Sequence, residues 1–231
     1  MNKIDIKKLE IKHNGNTLVN LSFNISNSTA LIGESGSGKS LTLKALLNLL
    51  PNTLDANKQI DSSFTLNSES IGFIPQNPFT SLSPMTKIDK QFFCDDKRKE
   101  EVLKLVDLDT WVLNKFPNQL SGGQIQRVII AIALSKDIKF LLLDEPTTAL
   151  DIQNRNNIIG LIDQLIKKLN ILILFVTHDI ESIKTLCEEI IIIKDGSIVE
   201  MGKTEDILNN PKHTYTKTLI NSTFKNKTFR T

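Results

Sequence analysis

The chain has 231 residues, 40% of them hydrophobic, enough to build one large domain or two small ones around a sizeable core and too apolar for a disordered segment. Its 28 Lys and Arg nearly balance 26 Asp and Glu, so a net charge of +2 offers no electrostatic case for a nucleic-acid partner, and any basic patch must be local. Two cysteines, Cys94 and Cys187, are too few for a disulfide framework and lack metal-ligand spacing, which points to ordinary thiols in a reducing, cytosolic compartment.

The first residues, MNKIDIKKLEIKHNG, alternate apolar and polar positions and lack the unbroken apolar core of a secretory signal, so no secretion is expected. No run approaches the roughly 18 apolar residues of a membrane-spanning helix. Ile4 and Ile6, then Leu9 and Ile11, then Leu18 to Ile25 predict antiparallel strands with one face in a core. TALIG predicts a short buried strand, and GESGSGKS, Gly33 to Ser40, follows it directly. Leu41, Leu43, Ala45, Leu46, Leu49 and Leu50 predict a helix ended by Pro51. Asp55 to Ser70, rich in Asn, Ser and Asp, reads as loop with one edge strand, and IGFIPQ as another strand.

From about Asn77 to Lys139 the pattern predicts mostly helix, punctuated by Pro78, Pro84 and Pro117, as an inserted helical subdomain. KFLLLDE and ILILFVTHD predict two buried strands. A helix carrying Ile158, Ile159, Ile162, Leu165 and Ile166 between them makes a βαβ crossover in a parallel sheet. IIIIKDGSIVEMG predicts a hairpin turning at Asp195-Gly196, and the basic FKNKTFRT reads as a frayed end. The fold class is therefore α/β, with residues 77–139 as the helical part and residues 1–76 and 140–231 as the rest of one domain.

Three stretches carry chemistry. Gly33, Gly38, Lys39 and Ser40 fit G-x-x-x-x-G-K-[ST], a loop whose backbone N–H groups wrap nucleotide phosphates while the lysine reaches the outer ones. The strand, loop and helix come in the order this requires, with the helix N-terminus directed at the anion. Asp144 and Glu145 stand at the carboxyl end of the strand FLLL, where ligands bind in open parallel sheets. Asp144 suits a Mg²⁺ ion, held through water and shared with Ser40, and Glu145 suits orienting and deprotonating an attacking water. In LSGGQIQR, Leu120 to Arg127, Ser121 can cap a helix while Gly122 and Gly123 let backbone N–H groups approach an anion. A chain that already has a phosphate loop has use for a second such helix end if it closes over nucleotide bound by another chain.

With these motifs in this order over nearly its whole length, the chain resembles an ATP-binding cassette ATPase, the nucleotide-binding subunit of membrane transporters. GESGSGKS is similar to Walker A, FLLLDE to Walker B, LSGGQ to the signature, and TALD to the D-loop with Asp151. Gln76 matches the Q-loop and His178 in VTHD the switch histidine. The resemblance implies a P-loop NTPase (RecA-like) core with an antiparallel β subdomain and an inserted α-helical subdomain, using ATP and Mg²⁺. It implies phosphate contacts along Gly33, Glu34, Ser35, Gly36, Ser37, Gly38, Lys39, Ser40 and Leu41, and Mg²⁺ held by Ser40, Gln76 and Asp144. It also implies catalytic roles for Glu145, His178 and Gln76. Leu120, Ser121, Gly122, Gly123 and Gln124 would face the ATP of a second cassette.

IPQNPFTSLSPMTKI and NNPKHTYTKTLI resemble the peptide and nickel importer branch, with Thr214 where that branch usually has proline. The implied partners are transmembrane permease subunits, a second ATPase subunit in a heterodimer and, indirectly, an extracytoplasmic substrate-binding protein. No nucleic acid is implied. The implied location is the cytoplasmic face of the membrane. A soluble cassette ATPase acting on ribosomes or DNA is the alternative, disfavoured by the single motif set and the short helical insertion.

His13 lies where the family usually stacks an aromatic residue on adenine; an exposed loop histidine is the competing reading. The mixed-sign run DDKRKEE, Asp95 to Glu101, reads as a solvated helix face without function, and Trp111 as a packing residue.

Overall fold

The computed structural model describes residues 2–148 and 150–225. The tail beyond Lys225, and Ala149 within TALD, lie outside the described residues. The chain forms two compact units, one of residues 1–66 with 172–231 and the other of residues 67–171.

The first unit opens with β1 (Ile4–His13) and β2 (Asn16–Ile25), antiparallel across a two-residue turn. Asn14 and Gly15 both take positive φ there, as a tight hairpin matching strand twist requires. Ile4, Ile6, Leu9 and Ile11 are fully buried although the interval from Ile6 to Leu9 breaks strict alternation. A register shift at that point absorbs the extra residue and returns Leu9 to the core face. β4 (Asp55–Ser62) pairs with the other side of β1, giving the order β2-β1-β4 with almost every β4 side chain in solvent, the expected edge strand.

β3 (Ser28–Ile32), β7 (Leu172–Val176) and β8 (Glu189–Lys194) run parallel, with β3 in the middle. β9 (Ser197–Lys203) returns antiparallel to β8 through the expected Asp195-Gly196 turn. The near-continuous apolar runs of β3, β7 and β8 suit strands covered on both faces. α5 (Ile180–Leu186), α6 (Thr204–Asn209) and α7 (Thr214–Lys225) complete this unit.

α1 (Lys39–Leu46) departs from expectation by ending well before Pro51. Asn48 takes the left-handed conformation, the Leu49 N–H donates to Lys44 O at 2.8 Å, and the Asn48 N–H donates to Ala45 O at 3.2 Å. This Schellman arrangement satisfies the last carbonyls and turns the chain out, leaving Leu49 exposed.

The second unit holds β5 (Ile71–Ile74) parallel to β6 (Phe140–Asp144), and α4 (Ile152–Leu169), whose Ile158, Ile159, Ile162 and Leu165 are buried as expected. Residues 77–139 are less helical than predicted. Their two α-helices are α2 (Asp96–Leu105) and α3 (Gly122–Leu134), and the remainder is loop and single 3₁₀ turns, two of them opening on Pro78 and Pro117. At the first position of a helix proline's missing N–H is tolerated, but it bars any helix from running in from the preceding residues, so these turns begin afresh at Pro78 and Pro117.

The Asp95 to Glu101 run is also not a purely solvated face. Arg98 donates to the Leu134 and Ser135 carbonyls at the end of α3, at 2.7 and 3.2 Å. Lys99 is buried and binds Asp89 and Asp96, which hold its ammonium well above the usual lysine range. Trp111 is half-exposed with the Lys115 ammonium 5.9 Å from its ring centre, a surface packing role. Cys94 and Cys187 are free thiols.

Candidate functional site

In the first unit the phosphate loop and His178 leave the carboxyl ends of adjacent parallel strands, β3 and β7, with Leu31 paired to Val176. His178 is exposed in the turn after β7, just before Asp179, which caps α5 through the Glu181 N–H. At the loop itself, Lys39 Nζ donates to Gly33 O at 2.7 Å and Glu34 O at 2.8 Å, so the ammonium spans the loop's own carbonyls. The buried Ser37 fills the space that a side chain at Gly33 would occupy, its Oγ 2.6 Å from the position of a Cβ there.

Gly38 precedes α1 at φ +106° with the Val19 side chain 2.8 Å from where a Cβ would stand, a position only glycine fills without strain. Having no side chain, it cannot cap α1. As at any helix start, the leading N–H groups, such as those of Ser40 and Leu41, have no carbonyl one turn back within the helix, an arrangement suited to an anion.

The wall behind this loop was not legible as part of a site. Gly196, in the β8–β9 turn, donates its N–H to Ser37 O at 3.0 Å and accepts the Asn20 N–H at 2.7 Å. A Cβ there would lie 2.0 Å from Leu18 O, so glycine is needed for contact as well as for its φ of +73°. The Tyr215 hydroxyl accepts the Glu34 N–H at 3.0 Å. The Asp195-Gly196 turn signal was visible in the sequence, but its distant partners were not. His13, at the β1–β2 hairpin, is exposed.

In the second unit β5 and β6 are adjacent, with Ile74 beside Leu143, so Gln76 and the Asp144-Glu145 pair emerge together from the strand ends. Gln76 Nε2 donates to Glu145 Oε2 at 3.2 Å, and Thr148 Oγ1 donates to the same oxygen at 3.0 Å. Glu145 takes φ +44°; the other side-chain-bearing residues at positive φ among the described residues are all Asn or Asp. A glutamate held there carries on the order of 1–2 kcal/mol of backbone cost. Such outliers collect at functional positions.

The signature stretch forms a complete capping box at α3. The Ser121 Oγ accepts the Gln124 N–H at 3.3 Å, and the Gln124 side chain accepts the Ser121 N–H at 2.9 Å. Leu120 is buried beneath it. Asp151 caps α4 by accepting the Asn154 N–H at 3.0 Å and its amide at 2.6 Å, and Asn154 lies against Gly123, 3.1 Å from where a Cβ would be. These Asn154 donors hold the Asp151 carboxyl below the usual carboxylate range. Asn154, a residue the sequence pattern did not single out, thus sits between the Asp151 cap and the signature helix. No helix among the described residues is long and apolar enough to cross a membrane.

The sequence pattern of the ABC transporter family matches residues 17–148, and that of the oligopeptide/dipeptide transporter C-terminal region matches residues 199–231. The chain is 34% identical over 220 residues to the oligopeptide transport ATP-binding protein OppD of Lactococcus lactis subsp. cremoris (strain SK11), covering 84% of this chain and 65% of that protein. It therefore spans about 65% of the length of such oligopeptide relatives. To the nickel import system ATP-binding protein NikD of Staphylococcus aureus (strain USA300) it is 33% identical over 245 residues, covering 95% of each. Among solved structures, cbiO1 from Clostridium perfringens, part of the ABC transporter complex cbiONQ, superposes with a TM-score of 0.75 at 25% identity, covering 90% of both chains.

Proposed function

Since the chain belongs to the ABC transporter family, in its peptide and nickel importer branch, we propose that it is the ATP-hydrolysing subunit of an importer for peptides or for nickel, free or chelated. It works on transmembrane permease subunits from the cytoplasmic face of the membrane, paired with a second cassette in a heterodimer and served indirectly by an extracytoplasmic substrate-binding protein. Residues 1–76 and 140–231 bind nucleotide and residues 77–139 carry the signature.

The observation that carries this reading is that one chain presents two helix ends suited to phosphate, one uncapped behind Gly38 and one capped at Ser121. A bound nucleotide occupies the first, and the second serves nucleotide on the partner cassette. Main-chain N–H groups from Ser35 to Leu41 and the Lys39 ammonium hold the phosphates. Glu34 fixes the loop, because its N–H is engaged by Tyr215 and its carbonyl by Lys39.

Mg²⁺ would be held by Ser40, Gln76 and Asp144, whose side chains supply only oxygen and a single carboxylate, the chemistry of an ion that keeps waters and phosphate oxygens as its other ligands. When bound it neutralises charge on the phosphates. Gln76 spends its amide nitrogen on Glu145, so its carbonyl oxygen is the atom it would offer the ion. Glu145, oriented by Gln76 and Thr148, takes the proton of the attacking water, and His178 contacts the terminal phosphate. His13 supplies a modest contact to adenine.

The test uses cells lacking the gene, rescued with the native sequence or with Glu145→Gln, and measures uptake of labelled short peptides and of labelled nickel. Rescue of one cargo by the native chain only identifies the substrate. In purified complexes Glu145→Gln is expected to lower ATP turnover by at least about 100-fold, the usual contribution of a general base. Unchanged turnover removes Glu145 from that role.

A further inference from the structure

The segment matching the oligopeptide/dipeptide C-terminal region touches the phosphate loop through one side chain. Tyr215 is buried, and its hydroxyl accepts the N–H of Glu34, the second residue of the loop, at 3.0 Å. The carbonyl of that same Glu34 accepts the Lys39 ammonium at 2.8 Å and the Ser37 N–H at 3.2 Å. One residue is therefore gripped on its N–H side by the C-terminal segment and on its carbonyl side by the lysine that meets the phosphates. Any shift of Glu34 moves an acceptor on which Lys39 rests.

The tyrosine is itself fixed from several directions. The Lys194 ammonium, on the strand that leads to the Gly196 turn, sits 5.1 Å from the centre of its ring. Its backbone N–H donates to His213 Nδ1 at 3.1 Å. The Glu200 carboxylate on β9 accepts the N–H groups of Lys212 and His213 at 2.8 and 3.0 Å. A continuous chain of directed bonds thus runs from β9 through residues 212–215 to Glu34 and Lys39.

A buried tyrosine hydroxyl commonly finds some backbone partner, and that alone implies only stability. Here the partner is a residue of the binding loop whose other contacts are made by the loop itself. We infer that Tyr215 is a positioning residue for nucleotide binding, holding the phosphate loop in its binding conformation and linking nucleotide occupancy to the placement of the C-terminal segment. The inference rests on the reading of this loop as the ATP site. Without the hydroxyl the loop spends less time in the competent conformation, and apparent affinity falls by that fraction. Linkage is reciprocal, so bound nucleotide must in turn steady residues 212–225.

The experiment is titration of the full chain with a fluorescent ADP analogue, comparing native protein with Tyr215→Phe, which keeps the ring and its contact with Lys194. The dissociation constant is expected to rise about 2- to 10-fold, the equivalent of one net hydrogen bond. In the assembled transporter KM for ATP should rise while kcat is kept. Hydrogen exchange supplies the readout that a merely structural role would not move: ADP should slow exchange over residues 212–225 in the native chain and do so less in Tyr215→Phe. Glu200→Ala, which loosens residues 212–213 but leaves the hydroxyl, should shift affinity the same way by less.

Native affinity in Tyr215→Phe together with undiminished nucleotide-dependent protection overturns the inference. Absence of ADP binding by the native chain overturns instead the reading of the loop as the nucleotide site, and this inference with it.

Discussion

The two helix ends offered to phosphate, at α1 and at α3, are built on opposite plans. α1 starts at a glycine with no side chain to cap it, so the N–H groups of Ser40 and Leu41 look to solvent or to a ligand. α3 starts at Ser121 with both halves of a capping box made, and Asn154, held by Asp151, packs beside its Gly123. The first end is completed by what it binds, whereas the second is complete beforehand and needs only to be met. Under the proposed function, this division would let nucleotide load one cassette before the signature of a second closes on it.

The largest expected effect concerns the brace behind the dependent end. Gly196→Ala puts a Cβ against Leu18 O in a left-handed turn, and should lower unfolding free energy by on the order of 3 kcal/mol. Nucleotide affinity should fall with it, because Gly196 also holds Ser37. Denaturant melts with and without ADP check both; a variant that loses stability but binds normally detaches the turn from the loop. Next in size, Lys39→Ala removes the ammonium from the phosphates and should weaken nucleotide binding by roughly 10- to 100-fold, as loss of a charge-assisted bond does. Calorimetric titration reads it directly.

Ser121→Ala sharpens the contrast from the other side. It should cost about 1 kcal/mol of stability without nucleotide, the usual worth of an N-cap, while the affinity of the isolated chain stays native. The smallest effect is a pH dependence. Asp151 is held below its ordinary pKa in the folded chain, so its contribution is complete at neutral pH and is lost as pH falls through the depressed folded value. Thermal melts between about pH 5 and pH 3 should therefore fall less steeply for Asp151→Asn than for the native chain.

Local patterns carried most of what the sequence revealed. Strands with a buried face, the phosphate loop ahead of its helix, the Asp195-Gly196 turn and the Ser121 cap are each decided by a few neighbouring residues, and they appear where expected. The departures come where a single residue overrides a longer pattern. Asn48 ends α1 despite the leucines after it, and Pro78 and Pro117 open single turns in the 77–139 stretch where helix was predicted.

Least legible were contacts across long intervals of chain. Arg98 and Lys99 sit in a run that looks solvated, yet one covers the end of α3 and the other is buried between two aspartates. Tyr215 carried a likeness to a transporter branch but no chemistry until the fold brought its hydroxyl to Glu34. Gln76 and Glu145 lay between these extremes: both could be placed at strand ends, and their bond needed the pairing of β5 with β6.

The most direct test of the difference between the two helix ends is hydrogen exchange on the isolated chain, with and without Mg²⁺ and ATP. Residues 33–41 should gain strong protection when nucleotide is added, while residues 120–125 exchange at the same rate in both conditions. Protection that rises equally at both ends, or at neither, would contradict a ligand-completed α1 and a pre-formed α3.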